Sequence, residues 1–267
     1  MIGVFDSGIG GLSVLAAIAR LLPGSDLVYF ADTANVPYGN RGEAFARERA
    51  LRIGRYLADL GCRPLVVACN AATAAAVSAL REALPEIGVI GVEPGVKPAA
   101  EATKSGRIAV LTTALTARSE RLANLIRRHA GAVRVDIVPC PEWATKVESL
   151  RLDDPGFADE ARRLLEPALA AGADRFVLGC THYAFLAPAL ERIVAGRAEL
   201  VDVAEAVARQ CRRLAEAAGE TAAPGAPPGR LTLIASARPE RLRRALDVLN
   251  LDALTARLSG PPVLAEV

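Results

Sequence analysis

The chain is poor in lysine. Only Lys97, Lys104 and Lys146 occur in 267 residues, and none sits in a phosphate-cup motif, so nothing here marks a pyridoxal-phosphate Schiff base. Disulfides are equally unpromising. Five cysteines (Cys62, Cys69, Cys140, Cys180, Cys211) are an odd number in a large, core-forming chain, which argues against a disulfide framework. No CxxC pair or Cys/His cluster has zinc-ligand spacing, so no metal is expected. Charge of one sign is also lacking. The net charge of +2 gives no reason to expect nucleic acid, and the basic clusters Arg212-Arg213 and Arg241, Arg243, Arg244 read as solvated helix faces. No apolar run reaches membrane-spanning length, and no charged leader with a cleavage site opens the chain. A cytoplasmic protein, without membrane or nucleic-acid partners, is the expectation.

What is present is a pattern of short apolar runs alternating with helical-period stretches. With 52% hydrophobic and 23% charged residues, the chain has ample material for a buried core. Strands are predicted at 2–5, 26–31, 65–68, 88–92, 108–112, 134–139, 176–179, 199–202 and 231–235. Segments such as 42–60 and 159–171 read as helices between them. The alternation implies an α/β fold with mainly parallel sheets. The stretch 219–230, "GETAAPGAPPGR", reads as an exposed connector.

The chain also repeats itself. "LGCRPLVVACNA" over "AGADRFVLGCTH" pairs Val66 with Val177 and Cys69 with Cys180 at an offset of 111. "MIGVFDSG" over "RIAVLTTA" sets Asp6-Ser7 against Thr112-Thr113 at an offset of 106. Two ordered matches imply two α/β halves of related build. Ligands of open α/β sheets bind beyond the carboxyl ends of the strands, and both Cys69 and Cys180 follow such ends. Cys62, Cys140 and Cys211 read as small core residues. If the halves face each other, two thiols flank one cleft. A redox pair would need Cα atoms within about 7 Å, leaving no room for a ligand, whereas an acid/base pair must straddle one. One thiol that removes a proton and another that returns one to the opposite face invert a carbon centre. Such thiols need activation by neighbouring groups. His182, two residues beyond Cys180, is the better histidine for that task, because His129 lies in an exposed basic segment; Asp6 serves the Cys69 side.

The glycine turn Gly8-Ile9-Gly10-Gly11 is a near miss to a dinucleotide fingerprint: Ser13 stands where the third glycine belongs. Asp6, at the start of that turn, would repel a phosphate on the following helix N-terminus.

Five ordered segments, "GVFDSGIGGLSV", "FADTANVPYG", "VVACNAATA", "GVEPGVKPA" and "VLGCTHYAFL", resemble the cofactor-independent aspartate/glutamate racemases from residue 3 to about residue 205. The resemblance implies two pseudo-symmetric, doubly wound α/β domains, one of residues 1–92 plus 206–267 and the other of residues 93–205. It implies racemisation of glutamate at the α-carbon without a cofactor, D-glutamate for peptidoglycan, and a homodimer. Cys69 would be the base toward D-glutamate and Cys180 the base toward L-glutamate, helped by Asp6 and His182, with Glu148 a further carboxylate near the second cysteine. Ser7, Pro37, Tyr38, Gly39, Asn70, Ala71, Thr113, Thr116 and Thr181 would hold the substrate together with Asp6 and His182, and the opening turn would present N–H groups to it. The match departs from the family pattern at Ala71 (usually threonine, for which Thr73 is a candidate substitute), Leu115 (glycine), Val203 (serine) and Ala184 (proline). These leave two alternatives: another amino-acid racemase, such as one for aspartate, or a catalytically weakened amino-acid-binding regulator.

Overall fold

The computed structural model describes residues 1–152, 154–223 and 225–267. Their strands, in chain order, are β1 (Ile2–Asp6), β2 (Leu27–Ala31), β3 (Leu65–Val67), β4 (Val89–Gly91), β5 (Arg107–Thr112), β6 (Arg134–Pro139), β7 (Arg175–Leu178), β8 (Glu199–Val201), β9 (Leu231–Ala235) and β10 (Val263–Leu264). They form two sheets, ordered β10-β9-β2-β1-β3-β4 and β6-β5-β7-β8. Every pairing within them is parallel. The central strands β1, β2, β3 and β7 are buried at every residue, as parallel strands covered by helices on both faces must be. That is why they read as continuous apolar runs.

All nine strands expected from the sequence are present, with no end shifted by more than one residue. The tenth was not legible: β10 has two residues, Val263 and Leu264, which are 51% and 54% exposed, and carries no burial pattern. Helices Glu43–Asp59 and Phe157–Ala170 occupy the two stretches read as helical. The described part of 219–230 has no helix or strand and is exposed apart from Gly229; Pro224 lies outside the described residues. No helix among the described residues is long and apolar enough to cross a membrane.

The repeat holds at the level of hydrogen-bond register. In the first sheet Gly3 of β1 faces Leu65 of β3; in the second Ala109 of β5 faces Phe176 of β7. Adding 106 to Gly3 and 111 to Leu65 gives that second pair. Leu65 faces Val89 of β4, and the same offset of 111 maps this to Phe176 facing Leu200 of β8. Thus β2-β1-β3-β4 and β6-β5-β7-β8 are one four-strand unit used twice. The expected boundary at 206 falls inside the helix Ala204–Ala217. That helix begins two residues earlier because Asp202 accepts the Val203 and Ala204 N–H groups at 2.5 and 3.2 Å, which makes a serine at 203 unnecessary as a cap. Leu115 is equally at ease, lying in the short helix Ala114–Ala117, where glycine is not required.

Candidate active site

Chemistry collects at the carboxyl ends of the duplicated strands. Asp6 ends β1, and Cys69 follows β3 as the cap of the helix Asn70–Ala83, its Sγ accepting the Ala72 N–H at 3.4 Å. Thr113 follows β5. Cys180 follows β7, just before the 3₁₀ turn Thr181–Leu186. A cavity with about 280 Å³ of space between atoms is lined by Ser7, Pro37, Gly39, Cys69, Asn70, Ala71, Thr113, Ala144, Cys180, Thr181 and His182. Both thiols border it, one from each sheet, and all five cysteines are free. Ala144 is the one lining residue that sequence reasoning missed; an alanine carries no chemical signal by which to find it.

The two thiols have different surroundings. Cys69 Sγ lies 3.8 Å from Ser7 Oγ, and Asp6 lies behind that serine. Asp6 Oδ1 accepts the Ser7 N–H at 2.6 Å and the Ser7 hydroxyl at 3.2 Å, while Oδ2 accepts the Thr181 hydroxyl at 3.1 Å. Asp6 is fully buried, and burial raises its carboxyl above the usual value despite the nearby His182. Burial, followed by the neighbouring Asp6 charge, pushes the Cys69 thiol well up, so this side holds its proton.

On the other side Cys180 Sγ lies 3.6 Å from His182 Nδ1, and His182 Nε2 lies 2.6 Å from Glu148 Oε1. Burial alone would lower the imidazole. The hydrogen bonds to Cys180 and Glu148 outweigh it and raise His182 well above its ordinary value. A protonated imidazole beside sulfur supplies the cation that a thiolate needs.

The opening glycine turn serves this second side. Its Ile9 N–H donates to Glu148 Oε1 at 2.7 Å and so faces a protein carboxylate, while the Ser7 N–H is taken by Asp6. These two amides therefore do not face the ligand as expected. A Cβ on Gly8 would overlap the Glu148 carboxylate, and one on Gly10 would overlap the His182 ring. The glycines are there so that the first half can pack closely on the second. Glu148 does not line the thiol cavity. It borders a separate one of about 460 Å³ with Arg238 and Arg241, and Arg241, expected merely to be solvated, donates to the Glu148 carbonyl at 2.9 Å.

Three further expectations need correction. Tyr38 does not line the cavity: it is fully buried, and its hydroxyl donates to Asp32 Oδ2 at 2.5 Å, an oxygen that Arg49 also holds at 2.9 Å. It braces the loop that carries Gly39. Thr116 lies one layer out, accepting the Thr113 hydroxyl at 3.3 Å. Thr73 does not replace the hydroxyl absent at Ala71, because its own donates to the Val67 carbonyl at 3.2 Å. Asn70 Oδ1, buried at the cavity, has no hydrogen-bond partner among the described residues. Nor do the described residues gather three or more His, Cys, Asp or Glu side chains able to hold a metal.

Comparison with known proteins identifies the family and the fold. Residues 2–211 match the family described as Asp/Glu/Hydantoin racemase. The chain is 44% identical over 248 residues to the glutamate racemase of Pseudomonas aeruginosa, covering 93% of each. Among solved structures it resembles the glutamate racemase of Thermus thermophilus in complex with β-chloro-D-alanine, at 36% identity and a TM-score of 0.78, covering 100% of this chain and 96% of that one. It also resembles that of Escherichia coli with L-glutamate and the activator UDP-MurNAc-ala, at 30% identity and a TM-score of 0.82, covering 100% and 98%. With two parallel sheets of one build and a thiol from each on a shared cavity, the chain belongs to the Asp/Glu/Hydantoin racemase family, a family of isomerases.

Proposed function

We propose that this protein interconverts L- and D-glutamate, with Cys69 and Cys180 as the two proton carriers. One observation carries the reading: two free thiols at equivalent strand ends of a duplicated unit border a single small cavity. Cys180, as thiolate beside the His182 imidazolium, removes the α-hydrogen of L-glutamate as a proton. The electron pair stays on carbon and its carboxylate. Cys69, held as a thiol, then delivers its proton to the opposite face, giving D-glutamate; the reverse direction exchanges the roles. The α-proton is a very weak acid, so fixed donors must stabilise the charge that develops. Ser7, Thr113 and Thr181 border the cavity with hydroxyls, and the unpartnered Asn70 Oδ1 is an acceptor suited to the substrate ammonium. Kept protonated, that ammonium also favours loss of the α-hydrogen.

Glutamate is the substrate by likeness to relatives that bear that name, and D-glutamate for peptidoglycan is the role that follows. In this reading residues 1–92 with 206–267 and residues 93–205 act as two lobes that bring one thiol each. The test is to incubate purified protein with L- or D-glutamate and L- or D-aspartate in D2O. Circular dichroism follows the amino acid and mass spectrometry its α-hydrogen. Loss of optical activity with α-deuteration of both glutamate enantiomers is expected. Racemisation of aspartate alone would move the substrate, and binding without label uptake would make the protein a binder.

A further inference from the structure

Behind the glycine turn stands Tyr29, a fully buried residue of β2 paired with Val4 of β1. Its hydroxyl donates to the Gly8 carbonyl at 2.6 Å. The next amide along the chain, the Ile9 N–H, belongs to the same peptide unit as that carbonyl, and it donates to Glu148 Oε1 at 2.7 Å. From there the contacts run to His182 Nε2 at 2.6 Å and from Nδ1 to Cys180 Sγ at 3.6 Å. We propose that Tyr29 is a positioning residue for the Cys180 side, acting on Glu148 and His182 through the single peptide unit between Gly8 and Ile9. This goes one layer beyond the function proposed above and rests on it.

The physical reasons are three. A peptide plane flanked by glycine rotates easily, and Gly8 has to be glycine because Glu148 occupies the space of a side chain. Some other group must therefore hold the plane, and the phenol fixes it from the side away from Glu148. A donor on the carbonyl also polarises the amide, so the N–H at its other end becomes a stronger donor to the carboxylate, as in any chain of hydrogen bonds at low dielectric. Finally, the phenol stays a donor. Burial, then the charges of Asp6, Glu148 and Cys69, push its ionisation well above the ordinary value, while the fit around it is close: a Cβ on Gly11 would lie 2.9 Å from the hydroxyl. Among the described residues Tyr29 makes no hydrogen bond to either cavity-lining sulfur, and its hydrogen-bonded route to the site runs through the Gly8–Ile9 peptide unit to Glu148.

A double-mutant cycle reads that route. Tyr29→Phe removes only the hydroxyl. In the wild-type background it is expected to lower kcat/KM for glutamate racemisation about tenfold, and in a Glu148→Gln background less than about twofold, because the link it supports is already weakened. The primary isotope effect with α-deuterated L-glutamate, whose proton goes to Cys180, is expected to rise relative to that with α-deuterated D-glutamate. A loss of packing alone would move both together. Placing 3-fluorotyrosine at position 29 keeps the donor and is expected to retain at least about half the activity, even if Tyr29→Phe melts too early to assay. Equal losses in both backgrounds, an unchanged ratio of isotope effects, or a fluorotyrosine protein as impaired as the phenylalanine one would each overturn the proposal. Wild-type protein that racemises neither enantiomer would instead overturn the function on which it rests.

Discussion

Replacing Glu148 by glutamine tests the electrostatics of the Cys180 side most directly. The side chain keeps its volume and one carbonyl oxygen, so the Ile9 N–H retains an acceptor. What disappears is the negative charge 2.6 Å from His182 Nε2. A hydrogen bond to a charged group contributes about 1.5–3 kcal/mol, and this one is largely shielded, with the side chains of His182 and Glu148 3% and 13% exposed. At about 1.4 kcal/mol per factor of ten, Glu148→Gln is expected to lower kcat/KM by about 10- to 150-fold. The two enantiomers have equal free energy in water, so the loss in kcat/KM must be identical in both directions; kcat and KM taken separately need not be. The assay is circular dichroism of L- and D-glutamate over a full range of concentrations, with a thermal melt to show that the variant is folded. A folded variant within twofold of wild type in kcat/KM would refute the reasoning, because His182 would then not depend on the carboxylate.

Other outcomes follow from the same contacts. Cys69→Ser and Cys180→Ser are each expected to cut racemisation by orders of magnitude with the fold intact by circular dichroism, and near-normal turnover by either would remove the two-thiol mechanism. Gly8→Ala is expected to displace the Glu148 carboxylate, which a Cβ there would overlap, and to cost at least about tenfold in kcat/KM, since the charged contact to His182 is worth about 1.5–3 kcal/mol; steady-state kinetics beside a thermal melt checks it. The His182 imidazole is raised in the native state, so its pairing stabilises the fold fully below the unfolded value of about 6.5 and the contribution fades as pH rises through the higher native value. The stability gap between wild type and Glu148→Gln, measured by urea unfolding, should thus be larger at pH 6 than at pH 10. Asp32 behaves oppositely. Burial raises it, but Arg49, Ser236, Tyr38 and Asn35 together hold it below its ordinary 3.8, so its contribution is present above that value and lost as pH falls through the native one. Arg49→Met should therefore raise the midpoint of acid unfolding and, by stranding a buried carboxylate, cost about 3 kcal/mol or more at neutral pH.

Much of this architecture could be read from the sequence because parallel strands buried on both faces are apolar throughout and stop where chemistry starts. Cys69 and Cys180 stood out as polar punctuation after such runs, and the repeat fixed their equivalence before any coordinates. Asp6 was legible because it ends β1, and His182 because it stands two residues beyond Cys180. The contacts between halves were not. Ile9 and Glu148 are separated by 139 residues, and no local pattern reveals that an amide of the opening turn faces that carboxylate. Where the Tyr38 hydroxyl points was not legible, because sequence gives the position of a side chain and not its direction. Buried Asp32 took its hydroxyl, held in turn by the partly buried Arg49, 17 residues on. Tyr29 was invisible as well: in "LVYFA" a tyrosine looks like any other large core residue until its oxygen is seen to have an appointed partner.

The matched register of the two four-strand units has a consequence for how the protein came to be tunable. If both halves were still identical, each thiol would have the same neighbours, and any change that sharpened one would alter the other equally. Duplication within one chain releases that constraint. Position 6 is aspartate where its counterpart 112 is threonine, and position 71 is alanine where its counterpart 182 is histidine. Repetition thus gives the molecule two related tools, and under the proposed mechanism the differences between them let one serve as donor and the other as acceptor without spoiling either.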